Sequence, residues 1–382
     1  NTNASDTTGD ITIGAVTGGS NSLTLSMGNN VANTDISASG AISGVSTLTL
    51  QNVGGTATLS GDVDVTTLSV NNTVANVAFT GNGSTVTNAV SFANDGTLQL
   101  GDASDDELIF NGGLTTTSVG GTVTLAGAID SSNDVMTFGA ITLAAATTID
   151  TNATNTTGDT TIGAVTGNNN NLNLDTTGTS GSASHTFTGD INLGTGKLDV
   201  TGDVVLGANI SITAQGSNSL GIRFRDKVNA DDATNNDRTL TLDAGTSSSI
   251  RVDNKIGDSQ PLAGLTVTQT FNADFRATVD VSDSNAGTIT ITDAVNNRNV
   301  VFRNNTTADS FVTTTEGYDL FFFGDVTITN AVTFQNGGIL QLGNNPSDDI
   351  TFNGGLTENT SGTVSIHGAI VSSNDTISFG NV

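Results

Sequence analysis

TNAVSFANDGTLQLGDASDDELIFNGGL, residues 87–114, returns as TNAVTFQNGGILQLGNNPSDDITFNGGL, residues 329–356, shifted by 242 positions without a gap. Inside it, VSF, TLQL and LIF are short apolar runs with alternating outward positions, and Gly, Asn or Asp follows each one. That is the pattern of short strands separated by tight turns. Two further repeats frame it. Residues 2–18 recur at 151–167, an offset of 149, and residues 127–140 recur at 368–381, an offset of 241. The chain therefore reads as two copies of one long unit, residues 1–149 and 150–382. The second copy is expanded by 242 − 149 = 93 residues, inserted within about 168–326.

Composition agrees with strands and turns. The 382 residues include 46 Gly but only two Pro, one Tyr and no Trp, so a thick core of large side chains is not expected. Disorder is disfavoured because only 12% of the residues are charged and period-2 alternation continues along the whole chain. No stretch has a sustained helical period. Short strands at a larger spacing of roughly 20 residues predict an all-β, right-handed parallel β-helix, a β-solenoid rod in which each coil buries the next. Under this reading the two copies form a continuous solenoid. Tandem β-sandwiches are the competing architecture, but their units run near 100 residues with larger aromatic cores.

Charge narrows the function. With 37 Asp and Glu against 10 Lys and Arg, the chain carries −27, which disfavours nucleic acid as a partner. The absence of Cys suits a secreted bacterial surface protein that does without disulfides. No apolar run of about 18 residues predicts membrane insertion of this segment. The first residues have neither an initiator Met nor a signal peptide, as expected of a processed chain or part of a longer one.

The inserted block differs from the rest. Nine of the ten basic residues lie between Arg223 and Arg303, together with eleven Asp. Arg223, Arg225 and Lys227 are candidate interaction residues, for an acidic part of a neighbouring copy or for an anionic cell-surface glycan. Local Arg and Asp pairing is the simpler reading. Residues 228–269 resemble the repeat of giant bacterial surface proteins of the filamentous-haemagglutinin and autotransporter-passenger type. An LTL-x-AG segment (240–245) leads to an apolar strand (250–252), an IG turn (256–257) and an LTV strand (265–267). The resemblance implies a right-handed β-helix displayed outside the cell for adhesion or as a stalk.

Other chemical signals are sparse. The GK pair at Gly196 and Lys197 lacks the glycine and hydroxyl positions of a phosphate loop. His185 and His367 are the only histidines and are expected at the surface or at coil edges. Asp102, Asp105 and Asp106 stand in register with Asp348 and Asp349 of the second copy. These are candidate oxygen ligands for Ca²⁺, with solvated turn carboxylates as the competing reading; no other cofactor is implied. A polysaccharide-active β-helix enzyme, lyase or hydrolase, would need a spaced carboxylate pair and sugar-stacking aromatics, and three Glu, one Tyr and no Trp supply little of this.

The sequence thus points to a non-catalytic extracellular structural or adhesive fibre protein of a bacterial surface. Asn168 to Asn171, Asn111 and Asn353 are expected to bond to adjacent coils, as in stacked Asn ladders. In DLFFFGD (319–325), Phe321 and Phe323 should share a face, leaving Phe322 outside, either exposed as a contact residue or covered by a neighbouring loop or chain. By the two offsets, Val382 corresponds to Ile141 and Asn1 to Asp150, eight residues apart in register, so copies are expected to continue head to tail.

Overall fold

The computed structural model describes residues 9–28, 32–152, 157–176, 183–217, 220–231, 238–282, 287–359 and 362–380. Asn1 and Val382, on which the head-to-tail expectation rests, lie outside them. Among the described residues there is no helix, and parallel strands stack as a β-solenoid. The chain divides into two compact units, residues 1–185 and 186–382.

In the first unit, Ile11–Ile13 pairs with Ile36–Ala38, which pairs with Val53–Leu59, and the ladder continues through Val74–Phe79, Leu98–Leu100, Val123–Asp130 and Ile141–Asp150. Every pairing is parallel, with the register shifting between Val53 and Thr56 and between Leu125 and Gly127. Ile36, Ala57, Val77, Leu98, Val123 and Ile141 form one buried inward column. From Ile36 to Ala57, Val77 and Leu98 the coil spacing is 21, 20 and 21 residues, and from Val123 to Ile141 it is 18. Alternation does the sorting, because successive side chains of a strand point to opposite faces. Val63–Val70 illustrates it: Val63, Val65, Leu68 and Val70 are buried, while Asp64 and Thr66 are exposed.

The second unit has the same construction with a more aromatic interior. Phe275, Phe302 and Phe322 stack in register on three successive coils, with ring centroids 4.9 and 5.2 Å apart and planes 12° apart in each pair. Phe311 and Phe334 pack around this stack. Phe322 is therefore interior, at 1% exposure, which corrects the expectation that placed it outside. Phe321 and Phe323 do share a face, with centroids 5.8 Å apart, but it is the outer one. The strand Asp319–Phe322 begins with buried Leu320, and that sets the phase. The single tyrosine, Tyr318, is fully buried, and its hydroxyl donates to the Ile291 carbonyl at 3.1 Å.

The repeated segments have a local physical cause. In residues 87–114, Gly101 has φ +74° and a Cβ there would lie 2.2 Å from the Ala126 carbonyl. Its counterpart Gly343 has φ +77° and stands equally close against the His367 carbonyl. Asp106 Oδ2 accepts the backbone N–H groups of Asp102 and Ala103 at 2.7 and 2.9 Å. Asp348 Oδ2 accepts those of Asn344 and Asn345 at 2.8 and 2.9 Å. Farther along, Ser132 donates to the Asn111 carbonyl and Ser373 to that of Asn353, from one coil to the next. What is copied is a set of turns that bring the chain back over itself.

Asx side chains also join the coils. Asp10, Asp35 and Asn76 accept the backbone N–H groups of Asp35, Thr56 and Thr97, each one coil on. Asn209, Asn272 and Asp319 do the same in the second unit. Asn168 and Asn170 both donate to the Leu143 carbonyl at 3.2 Å, and Asn111 Oδ1 accepts from Ser132. The expected cross-coil bonds are present, but they run to backbone and Ser groups rather than from Asn to Asn.

Phe302 occupies the middle of the aromatic stack, so Phe302→Ala leaves a cavity between two rings. It is expected to lower the stability of the second unit by about 3–5 kcal/mol. Urea unfolding followed by Tyr318 emission, with no Trp to mask it, reads this directly.

Candidate interaction face

The basic residues of the inserted block form an ordered array on the outer face of the second unit. Asp199, Arg223, Arg251, Asp274, Val301 and Phe321 occupy one register position on successive coils. Two residues further along each strand direction stand Arg225, Asp253, Arg276, Arg303 and Phe323. The two columns cross-link diagonally. Arg225 grips Asp199 in a fork, Nε to Oδ1 at 2.8 Å and Nη2 to Oδ2 at 2.6 Å. Asp253 receives Arg223 at 2.8 Å and Arg251 at 2.5 Å, with Arg276 at 3.6 Å. Asp274 receives Arg276 at 2.8 Å and also Arg303.

The array is charge-imbalanced. Five guanidiniums, Arg223, Arg225, Arg251, Arg276 and Arg303, share three carboxylates, Asp199, Asp253 and Asp274. The net is +2, on a chain of −27. Arg225, Arg276 and Arg303 keep 38, 40 and 46% of their side chains exposed. Burial opposes ionisation of Asp253, but the hydrogen bonds and charges of Arg251 and Arg223 outweigh it and hold the carboxyl below its ordinary value. Lys227 and Lys255 meet on Asp258 at 2.7 and 2.6 Å, and their hydrogen bonds and charges bring that carboxyl down to about 2. Pairing and cationic surplus thus coexist on this face. Phe321 and Phe323 close one end of it, both partly exposed.

Of the residues singled out in the sequence, Arg223 and Arg225 lie on this face, Lys227 is held apart from the array by Asp258, and Phe322 lies beneath the face in the core. Arg251, Arg276 and Arg303 belong to the same array and were not singled out. Their spacings along the chain, 28 residues from Arg223 to Arg251 and 23 from Asp253 to Arg276, give no regular signal.

The acidic turns behave differently from a ligand set. Asp106 and Asp348 are buried with one carboxylate oxygen on the backbone, whereas Asp102, Asp105 and Asp349 are exposed. Among the described residues no group of three or more His, Cys, Asp or Glu side chains is arranged to hold a metal ion. His185, expected at a surface or coil edge, is fully buried, with Nδ1 2.7 Å from the Thr160 hydroxyl. His367 is exposed as expected.

The first unit has nothing cationic to set against its carboxylates. Residues 1–185 contain no Lys or Arg. There Asp130, Asp150 and Asp175 stand in register on three successive coils, with Glu107 on the preceding coil. Burial, then the charges of Asp150 and Glu107, push the Asp130 carboxyl up to about 7. Asp150 is also raised, by burial and by Asp175, against a lowering hydrogen bond from the Asn152 N–H. The first unit also has a surface groove of about 280 Å³ lined by Ser20, Gly44, Val45, Ser46, Asp64, Val65, Thr66, Thr85 and Thr87, with Asp64 its one carboxylate.

No family model matches this chain, and no curated protein or solved structure shows significant similarity to it. No helix among the described residues is long and apolar enough to cross a membrane.

The two carboxylates give opposite pH signatures. Asp130 binds its proton in the folded state up to about pH 7 but near 4 when unfolded, so ionising it costs stability as pH rises through that window. Asp130→Asn is expected to raise the melting temperature at pH 8 by roughly 2–4 °C and to be neutral near pH 4. Asp253 is depressed, so its contribution is present above the unfolded value and lost as pH falls through the folded one. Asp253→Asn should lower the melting temperature at pH 7, and the deficit should close in acid. Thermal scans by circular dichroism across pH check both signs.

Proposed function

We propose that this chain is a non-catalytic structural or adhesive element of an extracellular fibre on a bacterial surface, in which copies of the unit continue head to tail. The observation that carries the reading is the register-preserving stack itself. Each coil presents to the next the same edge that it receives, and the turns that keep this register are written twice in one chain. Such a stack propagates by repetition, since end contacts that do not close on themselves generate filaments. The resemblance of residues 228–269 to giant surface-protein repeats supports the same reading, as does the acidic, Cys-free composition. Against a polysaccharide-cleaving enzyme stands the groove lining, where Asp64 has no second carboxylate and no aromatic ring beside it.

Light scattering and negative-stain microscopy of the purified chain over a dilution series test the proposal. Particles whose length grows with concentration are expected. A single-chain mass at every concentration, with no elongated species, overturns the filament reading.

A further inference from the structure

A parallel stack repeats every outward position at about 4.8 Å along its axis. The acidic column of the first unit and the arginine array of the second are both built on this interval, and they carry opposite charge. In chain order the acidic face runs Ile109, Asp130, Asp150, Asp175, one residue per coil. The matching column of the basic face ends Asp253, Arg276, Arg303, Phe323, again one per coil, with Arg251 two residues before Asp253 and Phe321 beside Phe323. Laid in opposite directions, the two faces match at three of the four positions. Ile109 meets the Phe321 and Phe323 pair, Asp130 meets Arg303, Asp150 meets Arg276, and Asp175 meets Asp253, which Arg223 and Arg251 already hold.

Each face has a reason to accept the other. Like charges directly opposite on paired strands are destabilising, and the first unit has no Lys or Arg with which to offset its column. On the second unit, two cations exceed the carboxylates that the array supplies. Guanidiniums already held by one Asp retain donors in a fixed fork, so a second carboxylate is received at little entropic cost.

We propose that the arginine array of one copy docks laterally, side by side and antiparallel, on the Asp130, Asp150 and Asp175 column of a second copy of this chain, with Glu107 beside it. This contact is separate from the head-to-tail continuation and does not require it. Bringing Arg303 and Arg276 against Asp130 and Asp150 favours their ionised forms, so association releases protons and strengthens as pH rises through neutrality. In the isolated chain burial first, and then the facing carboxylates Asp150 and Glu107, disfavour the ionised form of Asp130.

A charge-swap experiment on the full chain tests this. One protein carries Arg276→Glu and Arg303→Glu, the other Glu107→Lys and Asp150→Lys, and circular dichroism with Tyr318 emission confirms folding. The readout is the cross-sectional radius from small-angle scattering, which reports lateral pairing, whereas particle length reports head-to-tail growth. The wild type is expected to widen with concentration at low salt and to return to single width in 0.5 M NaCl. Each swapped protein alone should need at least a tenfold higher concentration to widen, and an equimolar mixture should recover the wild-type behaviour. The isosteric pair Asp130→Asn and Asp150→Asn, which spares the fold, should give a smaller loss in the same direction. A wild type of constant width, variants that widen like the wild type, or a mixture that does not recover would each overturn the proposal. So would a single-width wild type whose array binds heparin, because the face would then serve an anionic glycan.

Discussion

In a parallel stack, each side chain sits directly on its equivalent in the next coil, about 4.8 Å away. Whatever occupies a position must tolerate a neighbour at that distance on both sides. Inward, the condition is met by apolar residues, and most compactly by Phe275, Phe302 and Phe322, whose rings lie nearly parallel. Outward, it is met in two different ways. Asp and Arg share columns and cross-link between them in the second unit, whereas Asp130, Asp150 and Asp175 stack as carboxylates alone in the first. The interior is a matter of shape, and the exterior a matter of charge.

Register survives because the coil connections are held as firmly as the strands. An Asx oxygen accepting a backbone N–H one coil away ties the entry of each strand to its predecessor, as Asp35 does for Thr56 and Asn272 for Asn299. Turn geometry adds a second constraint at Gly101 and Gly343, where positive φ and a facing carbonyl leave no room for a side chain. These requirements explain why Gly101 and Asp106 return as Gly343 and Asp348 although all four residues between them differ. A turn that loses its glycine or its aspartate shifts every strand beyond it, and a shift by one residue turns an inward column outward.

The electrostatic asymmetry follows from the inserted block. All ten basic residues lie in the second unit, nine of them between Arg223 and Arg303, and the pairing there is intimate enough to depress Asp253 and Asp258. Exposed ion pairs contribute little to stability one at a time, so an array with surplus cations is a weak stabilising device and a stronger recognition surface. The acidic column shows the complementary cost, with burial first and the neighbouring Asp150 and Glu107 second pushing the Asp130 carboxyl up to about 7.

The sequence by itself determined the class of fold. Alternation over three to five residues, Gly and Asn punctuation and long-range copying leave little besides stacked strands. It also located the cationic block and put Phe321 and Phe323 on one face, though not which face that is. It did not determine which residues meet across coils. Coil lengths vary from 18 residues between Val123 and Ile141 to 30 between Ile210 and Leu240, so no fixed period predicts that Arg223 will lie on Arg251 or Asp130 on Asp150. The phase of DLFFFGD was equally open, because three consecutive Phe satisfy either alternation until Leu320 and the ring of Phe302 draw Phe322 inward. His185 went inside for the same reason: its column, through Thr160, faces the interior and offers its ring a hydroxyl. Local chemistry chose strand and turn, and only the closure of each coil on the one before it decided who faces whom.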